Sequence, residues 1–216
     1  MKKLGIIHTT PATIASLNSL VREIIGDVEI INFLDDSILG DMCRGHEVEY
    51  VRNRWISYAV TLGRLGADAV LSACSTVGAF AEEADRLLAV PVYRIDEAMC
   101  ARAAEQGKSI SVFATLSSTL EPTTALLRRK AKELGKDVAI HPVLVEGAYE
   151  ALMSGDKPLH DQKIREAVEK WLPQSDVAVL AQASMASAVE PGSEAAKKLL
   201  TSPRLGIEKL KKDLGL

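Results

Sequence analysis

Aromatic residues are scarce in this chain: Phe, Trp and Tyr together make up 4% of its 216 residues. A basic stripe interleaved with aromatics, on which bases would stack, is missing as well, so nucleic acid is not expected as a partner. The short basic runs Arg128-Arg129-Lys130 and Lys209 to Lys212 fall in helical patterns and read as solvated faces. No apolar run approaches the roughly 18 residues that a membrane-spanning helix needs. The N-terminal residues lack the layout of a secretory signal, and the expected location is the cytoplasm, without membrane attachment. There are three cysteines, Cys43, Cys74 and Cys100, at spacings that suit neither a disulfide framework nor a CxxC metal pair. HExxH, P-loop, GxGxxG and GxSxG signatures are all missing, so no metal, no nucleotide and no organic cofactor is expected.

What the chain does have is aliphatic bulk. Hydrophobic residues reach 47%, charged residues 25%, and the net charge is −3, enough to build a core without metal or disulfide staples. Apolar runs at Leu4–His8, Val28–Phe33, Ala69–Ala73, Val90–Tyr93, Ser109–Ala114, Val138–Pro142 and Val177–Ala181 read as strands. Helical patterns separate them at about 12–25, 48–65, 78–88, 96–106, 122–134, 146–154 and 160–171. Thr10-Pro11 suits a helix start and Gly66 a helix stop. Asp35–Glu47, with Asp35, Asp36, Asp41, Arg44 and His46, reads as an irregular polar connection, either a lid or a solvated link. Continuous apolar strands alternating with helices predict an α/β fold whose parallel sheets are covered on both faces. The series occurs twice. It predicts two pseudo-symmetric lobes, residues 1–95 with an amphipathic helix at 205–216, and residues 96–204, each a mainly parallel sheet flanked by helices; if the two face each other, the active site is expected in the cleft between them.

The chemistry concentrates where strands end. Asp68-Ala-Val-Leu-Ser-Ala-Cys74 and Asp176-Val-Ala-Val-Leu-Ala-Gln182 share one layout, six residues from the acid to the loop position. One copy delivers a thiol and the other an amide. Ligands of parallel sheets bind beyond the carboxyl ends of the strands. Four such ends carry small hydroxyl residues: Thr9 and Thr10, Ser75 and Thr76, Thr115 with Ser117 and Ser118, and Ser184 beside Gln182. Hydroxyls and backbone N–H groups at helix starts favour an anionic group such as a carboxylate, although the same residues serve as ordinary N-caps. Cys74, followed by a helix start that favours thiolate, is the candidate acid/base or nucleophile; the alternative is a buried structural cysteine. Cys43 and Cys100 read as structural. His8, His141 and His160 carry no ligand spacing, and His8 reads as a packing residue.

These residues resemble the aspartate/glutamate/hydantoin racemase superfamily. The resemblance covers nearly the whole chain and rests on Cys74-Ser75-Thr76 after the third strand and Leu180-Ala181-Gln182-Ala183-Ser184-Met185 in the second lobe. Members usually carry a cysteine in each lobe; here the second is replaced by Gln182, or, with a shift of one or two residues, by Ala183 or Ser184. The resemblance implies cofactor-independent proton chemistry next to a carboxylate, with Cys74, Gln182 and Ser184 at the reacting centre and the Thr and Ser hydroxyls holding a small carboxylate substrate. It also implies a homo-oligomer. One thiol rather than two leaves three functions open: an isomerase, a single-cysteine decarboxylase or other lyase, and a carboxylate-binding protein without turnover.

Overall fold

A computed structural model describes residues 2–45, 47–190 and 192–216; His46 of the polar connection lies outside them. The chain divides into two units, Met1–Ile95 with Pro203–Leu216, and Asp96–Ser202. The first contains strands β1 (Lys2–His8), β2 (Val28–Leu34), β3 (Ala69–Ser72) and β4 (Val92–Arg94) in the order β2-β1-β3-β4, every pairing parallel. Helices α1 (Ile14–Ile24), α2 (Ser37–Arg44), α3 (Val48–Arg64) and α4 (Gly78–Leu87) cover it.

Successive strand side chains point to opposite faces, and β1 shows the result. Leu4 and Ile6 pack with Leu17, Val21, Leu71, Ile207 and Leu210 in one apolar cluster. Ile7 packs with Ile38, Trp55, Leu62, Val70 and Phe80 in another. Between them Gly5 admits α3: a Cβ there would lie 2.7 Å from Leu62 Cδ1. A larger residue would force the Leu62 side chain to shift.

The second unit repeats the plan. Strands β5 (Ser109–Ala114), β6 (Ala139–Leu144), β7 (Val177–Leu180) and β8 (Leu199–Thr201) form an all-parallel sheet in the order β6-β5-β7-β8. Its helices are α5 (Glu97–Gln106), α6 (Ser117–Glu133), α7 (Ala148–Met153), α8 (Lys157–Trp171) and α9 (Glu194–Lys198), and α10 (Ser202–Asp213) ends the chain. The closing helix of each series is exchanged. Helix α5 follows β4 but packs on α6, where Lys130 Nζ reaches Glu97 at 2.8 Å. Helix α10 follows β8 but packs in the first unit, where Lys211 Nζ donates to the Ile24 carbonyl at 2.6 Å.

The acid that opens each copy of the repeat is a fastener. Asp68 accepts the Lys3 N–H at 2.7 Å and donates its own N–H to the Lys3 carbonyl at 2.8 Å. Asp176 accepts the Lys108 and Ser109 N–H groups at 2.8 and 3.0 Å and donates to the Ser109 carbonyl at 2.8 Å. The Ser109 and Lys108 N–H groups hold the Asp176 carboxyl below the usual range. Each acid thereby sets the register of a central strand against its neighbour.

The expected α/β class and parallel strands are present, with four local corrections. The connection Asp35–Glu47 is not irregular, because Ser37–Arg44 is helix α2, with Ile38 fully buried and Gly45 closing it at φ 68°. Ser117 and Ser118 do not lie in a loop; they are the first residues of α6, which carries Pro122 inside it because Thr119, Thr123, Leu126, Leu127 and Ala131 bury its inner face. β4 begins at Val92 rather than Val90. Val177–Leu180 is not the last strand, since the three-residue β8 completes the second sheet.

Helix α2 is held by charge. Asp35 accepts from Tyr58 Oη at 2.8 Å and from Ser37 Oγ at 2.6 Å, and pairs with Arg54 Nε at 3.1 Å. Arg54 Nη2 also reaches Asp41 at 2.8 Å. Burial alone would raise the Asp35 carboxyl, but the Ser37 and Tyr58 hydrogen bonds and the Arg54 charge hold it below its ordinary value. Arg54→Met is therefore expected to cost about 1–3 kcal/mol in urea unfolding followed by Trp55 fluorescence with Trp171 changed to Phe. A carboxyl depressed in the folded state stabilises above its unfolded value of about 3.9 and loses that contribution as pH falls through the folded value. The gap between wild type and variant should be full above about pH 5 and shrink below about pH 4.

Candidate functional site

With every pairing in a sheet parallel, all strand carboxyl ends in that sheet share one edge. In the first unit that edge begins at His8, which is fully buried, with Nδ1 2.8 Å from Thr13 Oγ1 and Nε2 2.9 Å from Asn32 Oδ1. Burial holds its imidazole below the usual histidine range, with the Asn32 bond pulling the other way. His8 is thus a neutral packing residue that anchors the turn beyond it. Thr9 in that turn is buried. Thr10 spends its hydroxyl as a cap, accepting the Ala12 N–H at 3.4 Å ahead of a 3-10 turn, Pro11–Thr13.

Cys74 lies two residues beyond β3, half-buried, with φ −129° and ψ 122°, as the N-cap of the 3-10 turn Ser75–Val77 that feeds α4. Ser75 and Thr76 are buried in that turn, and Ser72 Oγ donates to the Cys74 carbonyl at 3.4 Å. Gln182 lies two residues beyond β7 with φ −126° and ψ 139°, as the N-cap of the 3-10 turn Ala183–Ala188. The backbones match, so Gln182, and neither Ala183 nor Ser184, is the structural counterpart of Cys74.

The Gln182 amide is oriented by its partners. Its Oε1 accepts the Thr115 backbone N–H at 2.6 Å and the Thr115 hydroxyl at 2.9 Å. A backbone N–H can only donate, so the atom facing it must be the amide oxygen. The Nε2 protons are what remains for any other group. Thr115, the first residue past β5, is buried; its bond to Gln182 joins two of the candidate residues directly. Ser117, exposed, and Ser118, half-buried, follow at the start of α6.

Ser184 is half-buried inside the Ala183–Ala188 turn, and its carbonyl accepts Ser187 Oγ at 3.2 Å. Ser187 in turn receives Lys157 Nζ at 2.6 Å, and Lys157 pairs with Asp161 at 2.5 Å. Asp161 Oδ1 lies 2.7 Å from Nδ1 of the buried His160. Burial would raise the Asp161 carboxyl, but Lys157 and His160 keep it below its ordinary value. This chain seats the Gln182 turn on α8. Sequence reasoning missed it, although the i, i+4 spacing of Lys157 and Asp161 was a signal.

Matched by position, the two edges differ in chemistry. His8, Asn32, Cys74 and Arg94 of the first unit stand where the second has Ala114, Pro142, Gln182 and Thr201. Every group in this comparison that can gain or lose a proton belongs to the first unit. A cavity of about 560 Å³ lined by Arg128, Lys132, Lys136 and Asp137 lies at the opposite edge of the second sheet, ahead of β6, and holds none of these residues. Among the described residues no group of three or more His, Cys, Asp or Glu is placed to hold a metal ion. No described helix is long and apolar enough to cross a membrane.

The family model of Asp/Glu/Hydantoin racemase matches residues 4–210. Similar solved structures include glutamate racemase from Francisella tularensis in complex with D-glutamate (TM-score 0.75, 14% identity, covering 99% of this chain and 81% of that one). Aspartate racemase from Picrophilus torridus gives a TM-score of 0.71 at 15% identity, covering 100% of this chain and 95% of the other. Allantoin racemase from Klebsiella pneumoniae gives 0.73 at 18% identity, covering 100% and 88%. At such identities the likeness is one of fold. No curated protein matches the sequence.

The Thr115–Gln182 bond has a measurable signature. Thr115→Val should cost about 1 kcal/mol, and Gln182→Ala about 1–3 kcal/mol, because it strands two donors. A double-mutant cycle in urea should return a coupling of at least about 0.5 kcal/mol; additive effects would mean the two side chains do not bond.

Proposed function

This chain belongs to the Asp/Glu/hydantoin racemase family, and from that premise we propose a cofactor-independent, racemase-type isomerase that acts on a small carboxylate through Cys74. The observation that carries the reading is the pairing of unlike groups at equivalent turns: a half-buried thiol in one unit and an amide locked as a donor in the other. A thiolate can remove a proton next to a carboxylate or add to an unsaturated acid. The resulting charge spreads onto the carboxylate oxygens. Hydrogen-bond donors that meet it there lower the barrier by several kcal/mol, and the Gln182 Nε2 protons with the hydroxyls of Thr9, Thr10, Ser75, Thr76, Ser117 and Ser118 are suited to that role, while Thr115 spends its proton on Gln182.

An amide neither takes nor gives a proton near neutral pH. On this reading Cys74 serves one face of the substrate, and the opposite proton comes from Ser184 or from water. The same constraint favours a second reading, a lyase in which Cys74 protonates the carbanion left by decarboxylation. Turnover in D₂O separates them: isomerisation incorporates deuterium without carbon loss, whereas a lyase releases CO₂ or a cleaved fragment. We place the enzyme in the cytoplasm as a homo-oligomer; none of its three cysteines forms a disulfide.

Cys74→Ala should lower kcat/KM by about 100-fold or more, with Cys43→Ser close to wild type; near-normal turnover by Cys74→Ala would end this reading. Gln182→Glu keeps an acceptor for Thr115 but sets a negative oxygen where the donors were. It should raise KM for a carboxylate about tenfold or more, and an unchanged KM would remove Gln182 from the substrate's surroundings.

A further inference from the structure

Arg94 ends β4 opposite Ser72 of β3, two residues before Cys74. It is 7% exposed. Its guanidinium is folded under the first turn of α4, where a Cβ on Gly78 would lie 2.6 Å from Arg94 Nε. Glu82, one turn along α4, forms an ion pair with it.

This placement is costly on three counts. A cation is taken out of water. It sits at a helix N-terminus, where the dipole favours anions. It leaves no room for a Cβ at position 78 unless the guanidinium moves, and the glycine there is a poor helix former. Glu82 offsets the first two in part. The fold itself does not demand the residue, since the equivalent position of the second sheet is Thr201, opposite Leu180. The arginine accompanies the thiol.

We propose that Arg94 is a positioning residue for the Cys74 turn: its guanidinium packs against Gly78 at the end of that turn and sets a positive charge behind it, favouring an anion there, with Glu82 modulating how much of that charge is felt. The inference rests on the Cys74 reading and names the group that would draw an anionic substrate to that turn.

The test compares alkylation of Cys74 by anionic iodoacetate and neutral iodoacetamide, resolved by mass spectrometry, with Cys43 as internal control. The ratio of the two rates cancels the reactivity of the thiol and reads the field at the sulfur. At low ionic strength Glu82→Gln should raise the iodoacetate preference about threefold or more over wild type, and adding Arg94→Met in that background should remove the gain. Cys43 should keep one ratio throughout. Equal Cys74 ratios in wild type and Glu82→Gln, a change at a half-exposed site that leaves packing intact, would overturn the proposal even if the double variant failed to fold. Normal turnover by Cys74→Ala would instead sink the catalytic reading and leave these ratios untouched.

Discussion

Parallel pairing is the constraint on which the rest of each unit depends. A parallel strand cannot be followed by a tight hairpin; the chain must return by a helix, and those helices cover the sheet. Every strand of a sheet therefore delivers its exit turn to the same edge. Asp68 and Asp176 hold that geometry at the opposite edge, tying the start of β3 to Lys3 and the start of β7 to Lys108 and Ser109. The motif that repeats in the sequence thus has two different ends: an acid that sets register and a turn residue, a thiol in one copy and an amide in the other.

The two units keep the backbone and divide the chemistry. Cys74 and Gln182 share one conformation at one position, yet their side chains bond differently. An amide oxygen is a strong acceptor, so Gln182 is drawn to the Thr115 N–H and hydroxyl and its donors are aimed by default. A thiol accepts weakly, and Cys74 packs instead against the apolar cluster around Val77 and Phe80. One turn therefore offers a group that can exchange a proton and the other offers fixed donors.

Charge also ties packed elements together in each unit. In the first unit Asp35, Arg54 and Asp41 bind α2 to α3. In the second, Lys157, Asp161 and Ser187 bind the start of α8 to the Gln182 turn. Each network starts in the two-helix segment between the second and third strands of its unit, and the second reaches past β7 to Ser187. The second network reaches a candidate turn directly, and pinning of this kind is what a pre-organised site needs.

Much of this architecture can be read along the chain. Fully buried strands such as Ser109–Ala114 are unbroken apolar runs bounded by polar turns, and the twofold series of strands and helices, with Cys74 and Gln182 at matching offsets, follows from that pattern. Short elements escape it: β8 has three residues after two lysines, and α2 has only eight residues set in a polar stretch, so neither is long enough to stand out. Ser117 and Ser118 looked like loop residues because Pro122 suggested a later helix start, whereas burial of the inner face carries α6 through it. Residue identity alone established that only one of the two turns holds a thiol. That the amide is tied to Thr115, 67 residues away, and that an arginine from the neighbouring strand fills the space beside Gly78, came only with the folded chain. Local pattern reports which face of an element is apolar; it carries no record of which distant donor meets which acceptor once the sheet has closed.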